Sequence, residues 1–122
     1  MAIYDILKTA GVVAITALSQ MNGIIDSTKN GKAAVINVYS EFCGYSQTMA
    51  NVFVKYVPLN AGKSIAFYGV DANKIEGVTG DYQIQGVPTF IGLACGKEVD
   101  RVTGADEEGL SRLITKVSDI KC

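Results

Sequence analysis

Residues 41–47 read Glu-Phe-Cys-Gly-Tyr-Ser-Gln and hold the chain's strongest candidate for covalent chemistry. Cys43 stands where an apolar run, "AAVINVYS" (33–40), gives way to "CGYSQTMANVFVKYVP". In the second stretch Met49, Val52, Phe53 and Tyr56 recur at i, i+3, i+4 and i+7, one face of a helix. The first N–H groups of a helix have no partner within it and carry partial positive charge. A thiol placed there is shifted toward its thiolate, the nucleophilic form. Gly44 leaves the approach to the sulfur uncrowded. Ser46 has two readings: a hydrogen-bond donor to the Cys43 sulfur, or simply a tolerated first-turn residue. Its hydroxyl is not a redox sulfur and cannot attack a mixed disulfide. The bland alternative for Cys43 is a small buried hydrophobe. A core cysteine belongs on the strand or on the apolar helix face, and Cys43 is on neither.

The rest of the composition narrows the chemistry. Histidine is absent, which removes Cys-His catalysis and histidine metal sites. The three cysteines, Cys43, Cys95 and Cys122, are odd in number and widely spaced, unlike a secreted disulfide framework or a structural zinc site. No metal and no cofactor are expected. Eleven basic residues against twelve acidic ones give a formal net charge of -1, and no basic stripe is present to hold nucleic acid. No apolar stretch is long enough to span a bilayer. The start, "MAIYDILKTAGVVAITAL", lacks a positive leading segment and is interrupted by Asp5 and Lys8, so no signal peptide is expected and the cytosol is the simplest compartment.

The elements that must position Cys43 can be read in order. A short N-terminal piece is a candidate helix. "GVVAITAL" (11–18) predicts a strand. Ser19 is placed to cap a helix that ends at the Asn30-Gly31 turn signal. The nearly unbroken apolar run 33–40 fits a strand covered on both faces. The helix after Cys43 is expected to end at Pro58. "SIAFYGVDA" (64–72) predicts a strand, and residues 73–85 are weakly helical. "PTFIGLA" and "EVDRVTG" predict a hairpin joined by Cys95-Gly96-Lys97. Asp106 is a good N-cap for a last helix with Leu110, Leu113, Ile114 and Val117 inward. Length and order predict one domain over residues 1–122, of the α/β class, closed by an antiparallel hairpin.

These residues carry a family likeness. "AAVINVYSEFCG", "VDAN", "YQIQGVPTF" and "GKEVDRVTGADEEGL" resemble thioredoxin over nearly the whole chain. The resemblance implies the thioredoxin fold, a central mixed five-stranded sheet flanked by about four helices. It implies a cis bond before Pro88, facing the Cys43 sulfur, with the Val87 backbone free to pair with an extended substrate. The substrate would lie against Phe42, Gly44, Tyr45, Val87, Pro88 and the Gly104 region.

The chain also departs from the family pattern. Ser46 stands where the resolving cysteine would be, Tyr45 where proline is usual, and Phe42 and Tyr39 where tryptophans are. Asn37 occupies the place of a buried aspartate that moves the resolving cysteine's proton. Left to itself, Asn37 reads as a hydrogen-bonded polar residue of a central strand. Asn51 replaces a helix-kinking proline.

The expected function is thiol–disulfide exchange through Cys43 on protein or glutathione mixed disulfides, without an internal resolving thiol. Glutathione or a thioredoxin reductase is the expected thiol source. The expected state is a monomer, with an intermolecular disulfide dimer as the variation. Ser46 is either natural or a laboratory Cys-to-Ser change in a dithiol thioredoxin. Two other readings stand beside these. One is a non-enzymatic binding module on the same fold. The other is a relative of the CGFS iron–sulfur glutaredoxins, which the sequence after Pro88 disfavours. Cys95 is expected at the far end of its strand from Pro88, as a hairpin residue or an exposed thiol, and Cys122 in a mobile tail.

Overall fold

A computed structural model describes residues Met1–Cys122. The seven residues of Ala33–Tyr39 (β2) are all buried, in keeping with a run that is apolar except at Asn37. They form the centre of a five-stranded sheet of order β1-β3-β2-β4-β5. Its other strands are Val13–Ala14 (β1), Ile65–Asp71 (β3), Thr89–Ala94 (β4) and Lys97–Thr103 (β5). β1 and β2 run parallel to β3, while β4 is antiparallel to both β2 and β5. This is the mixed five-stranded sheet that the resemblance implied.

Four helices of seven or more residues flank the sheet: Ile3–Thr9 (α1), Gln20–Ser27 (α2), Gly44–Phe53 (α3) and Glu107–Asp119 (α6). Two single turns, Tyr56–Leu59 (α4) and Val78–Asp81 (α5), complete it. Side chains of a strand alternate between faces, and β2 divides the core accordingly. Ala33, Val35 and Tyr39 pack in one cluster with Met49, Phe53, Phe90, Leu110 and Leu113. Ala34, Ile36 and Val38 pack in the other with Ile15, Met21, Ile24 and Ile91.

Several expected boundaries move. The strand predicted over 11–18 shrinks to Val13–Ala14, because only Val13 and Ala14 find partners on β3, at Tyr68 and Gly69. Ser19 occupies the N-cap of α2 but makes no capping bond. The Gln20 side chain instead folds back on the preceding loop, accepting the Thr16 and Ala17 N–H groups at 2.6 and 3.1 Å. Pro58 does not end α3, which stops at Phe53; it sits in α4, at an early position where a missing N–H loses no intrahelical bond. Tyr56 thus leaves α3, though it still packs against the core. The hairpin turn is two residues, Cys95-Gly96, since Lys97 already pairs with Ala94. Both turn residues have positive φ, 57° and 77°, the backbone that two-residue hairpins favour. Asp106 caps α6 as expected, accepting the Gly109 N–H at 2.8 Å.

The largest correction concerns the other two cysteines. Cys95 and Cys122 form a disulfide, with Cα atoms 5.4 Å apart. Neither the free Cys95 thiol nor the mobile Cys122 tail of the sequence reading is present. The reason is geometric. α6 begins beyond β5 and returns across β4, close enough that a Cβ on Gly92 would meet Leu113 and Val117 at 2.7 Å. Its thirteen residues span about 20 Å at 1.5 Å each, matching the six residues of β4. The end of α6 therefore arrives at the β4–β5 turn. A bridge closing so long a loop stabilises by about 3–4 kcal/mol in the chain-entropy treatment. Replacing both Cys95 and Cys122 by alanine is expected to lower unfolding free energy by about 2–4 kcal/mol in urea titrations. A loss under about 0.5 kcal/mol would show that the bridge constrains little of the unfolded chain.

Candidate active site

The loop that carries Cys43 is fixed at both ends by short polar side chains. β2 stops at Tyr39, and Ser40 follows it. The Ser40 N–H donates to the Ser46 hydroxyl oxygen at 3.2 Å, and the Phe42 N–H donates to the Ser40 hydroxyl oxygen at 3.2 Å. The Ser40 hydroxyl in turn bonds the side-chain oxygen of Asn73, whose own N–H donates to Asp71 at 2.9 Å. Glu41 reaches the other way. Its carboxylate accepts the Ile3 and Tyr4 N–H groups at 2.8 and 2.9 Å, holding the start of α1. Ser40, Glu41, Asp71 and Asn73 were not singled out from the sequence. The signal available was a serine and an acid just past an apolar strand, residue types that satisfy turn backbone.

Cys43 is the N-cap of α3 and is half-buried. Its sulfur lies 3.5 Å from the Val87 carbonyl oxygen, to which the thiol donates. The Val87–Pro88 peptide is cis, as the resemblance implied. The thiol pKa is lowered from its ordinary value. The Ser46 backbone N–H is the leading cause, with smaller help from the Ser46 hydroxyl and the Tyr45 N–H, and partial burial opposes them. Ser46 lowers the thiol pKa chiefly through its backbone N–H, and its fully buried hydroxyl accepts the Ser40 N–H, a contact the sequence reading did not include.

The expected substrate-facing residues assemble around the sulfur to different degrees. Phe42 and Tyr45 project outward, 89% and 67% exposed. Gly44 opens the helix with free space where a side chain would be. Val87 stands beside Cys43, and Pro88 is buried behind it. The Gly104 N–H donates to the Pro88 carbonyl at 2.8 Å, so Gly104 borders the same edge. Cys95 lies at the opposite end of β4 and is committed to Cys122, which leaves Cys43 as the free cysteine.

Asn37 departs from its sequence reading. It is fully buried, yet neither its amide oxygen nor its amide nitrogen has a partner in the protein. Its neighbours across the sheet are Gly69 and Phe90, which offer no polar side chain. It lies on the Val35 and Tyr39 face of β2, the side covered by α3.

The thioredoxin family model matches residues 13–116. A thioredoxin of Malassezia sympodialis is 29% identical over 85% of this chain and 99% of its own length. Its solved structure superposes with a TM-score of 0.78, covering 88% of this chain and 91% of that one. The thioredoxin NaTrxh of Nicotiana alata gives a TM-score of 0.79 at 27% identity, over 88% of this chain and 93% of that one. The chain belongs to the thioredoxin family, thiol–disulfide oxidoreductases that act on disulfide substrates with reductase partners.

Two outcomes are expected. Alkylation of Cys43 followed against pH should show a midpoint below the ~8.5 of a free thiol. Ser46→Ala should move it up part of the way, since the backbone N–H stays. A midpoint at or above the free-thiol value would contradict the helix-terminus account. Asn37→Ala should cost under about 1 kcal/mol, because its amide has no bond to lose, whereas Ile36→Ala should cost about 2–5 kcal/mol. Equal losses in chemical denaturation would show that the Asn37 amide is held after all.

Proposed function

We propose that the protein is a one-thiol exchange catalyst acting on protein or glutathione mixed disulfides. The observation that carries this reading is the isolation of the Cys43 sulfur. It is activated at the start of α3, Ser46 stands at the resolving position, and the other two cysteines are bonded to each other.

The steps follow from that arrangement. An extended substrate lies along the Val87 backbone. Once the thiol loses its proton it no longer donates to the Val87 carbonyl, and that acceptor becomes available to a substrate N–H. The Cys43 thiolate attacks one sulfur of the substrate disulfide in line. The S–S bond breaks, a Cys43–substrate disulfide forms, and the other sulfur leaves as a thiolate. A thiolate from outside, such as glutathione, then attacks the mixed disulfide and returns the Cys43 thiolate. The outside sulfur is now bonded to the sulfur that Cys43 had held, so one disulfide has been exchanged for another and Cys43 is unchanged; full reduction of a protein disulfide takes a further outside thiolate, which attacks that new bond and leaves the outside thiols joined as a disulfide. A reductase protein is the other source of that second thiol.

The exposed pair Phe42 and Tyr45 favours a second reading, a thioredoxin fold that holds partners through an apolar rim with Cys43 idle. The Cys95–Cys122 bond gives the cytosolic expectation no support, since such bonds persist mainly in oxidising compartments.

The test is intact mass and peptide mapping after the protein meets oxidised glutathione. One adduct on Cys43, removed by added thiol and absent in Cys43→Ser, is expected. No adduct at Cys43 would leave the binding reading. Ser46→Cys is expected to restore dithiol reduction only in part, because Asn37 still offers no proton acceptor; full family-like rates would show that acceptor to be dispensable.

A further inference from the structure

A pocket of about 310 Å³ opens beside β1 and β3 and contains neither Cys43 nor Val87. Its wall includes Ala14 of β1 and Gly69 of β3, where Leu7 and the Tyr39 ring close against the sheet. A Cβ there would approach Leu7 at 2.7 Å and the Tyr39 ring at 3.4 Å. Ile15 and Ile75 supply apolar wall, and Tyr39 and Asp71 supply polar atoms. Both polar residues are more than nine-tenths buried, at 3% and 7% exposure.

Their polar groups are not used up by the protein. The Tyr39 hydroxyl makes no hydrogen bond within the chain. Asp71 acts on it through charge alone, and together with Glu41 it helps burial raise the Tyr39 pKa, so the phenol stays protonated. One Asp71 oxygen accepts the Asn73 N–H, and the carboxylate makes no ion pair. A buried acid and a buried phenol with spare capacity, in a negative field and against apolar walls, match one ligand chemistry. Pockets of this size suit small ligands.

We propose that this pocket binds a small organic amine, its ammonium donating to the Asp71 carboxylate and the Tyr39 oxygen, and its apolar body against Ile15 and Ile75. Lys74, exposed at the mouth and free of any ion pair, is the competing feature, because it would draw an acid instead.

Three probes of one shape separate the possibilities: 2-phenylethylamine, 2-phenylethanol and 3-phenylpropionate, titrated into 15N-labelled protein. The amine is expected to shift the amide signals of residues 14–16 and 69–71 saturably, and the other two are not. Asp71→Asn, which keeps an acceptor for the Asn73 N–H, should weaken the amine about tenfold or more. Tyr39→Phe, which keeps the ring, should weaken it by a smaller factor. Equal binding of the alcohol would show that charge is not read. Preference for the propionate would assign the pocket to Lys74. No shift with any probe, or unchanged affinity in a folded Asp71→Asn protein, would overturn the proposal.

Discussion

The contact between the Ser40 N–H and the Ser46 hydroxyl sets the geometry on which the site depends. Ser40 is the first residue past β2, and Ser46 lies in the first turn of α3. Joining them seats the helix end against the sheet and turns its unpaired N–H groups toward one sulfur. A cysteine in this position of the family would carry the second redox atom; a serine supplies a smaller, harder acceptor and a hydroxyl that does not oxidise. Ser46 thus ties the loop to the end of β2 and supports the Cys43 thiolate. Glu41 extends the arrangement, because its carboxylate binds two N–H groups at the start of α1. The reactive loop is tied to β2, to β3 through Asn73 and to α1, and motion at Cys43 must be shared with all three.

Much of this was legible in the chain. The nearly unbroken apolar run 33–40, the helical spacing after Cys43 and the Asp106 cap each state one local preference, and the fold obeys them. The family likeness supplied the cis bond at Pro88, which local pattern alone does not reveal. Boundaries were read less well where a partner decided them. β1 has two residues because β3 offers two partners. Pro58 looked like a terminator, yet a proline early in a new turn is tolerated, and only the tertiary path told which case applied.

The Cys95–Cys122 bridge and the Asn37 amide were misread for one shared reason. Each depends on what lies across the fold rather than along the chain. The length of β4 was used to separate Cys95 from the Cys43 end, but the same length applied to α6 brings Cys122 back to the turn. Asn37 read as hydrogen-bonded because most buried polar groups are. Its neighbours, Gly69 and Phe90, are fixed by register, and register is not visible in a single strand's sequence.

Gly69 links three of these features. It leaves the Asn37 amide without a polar neighbour. On that same face it lets Leu7 and the Tyr39 ring approach the sheet, and Tyr39 borders the pocket. A larger residue there would force α1 outward, and with it the backbone that Glu41 grips. The thiol site and the neighbouring pocket thus share Glu41, Tyr39 and the start of α1 as common structure. An occupant at Asp71 would sit beside the Asn73–Ser40 bonds that tie β3 to the Cys43 loop.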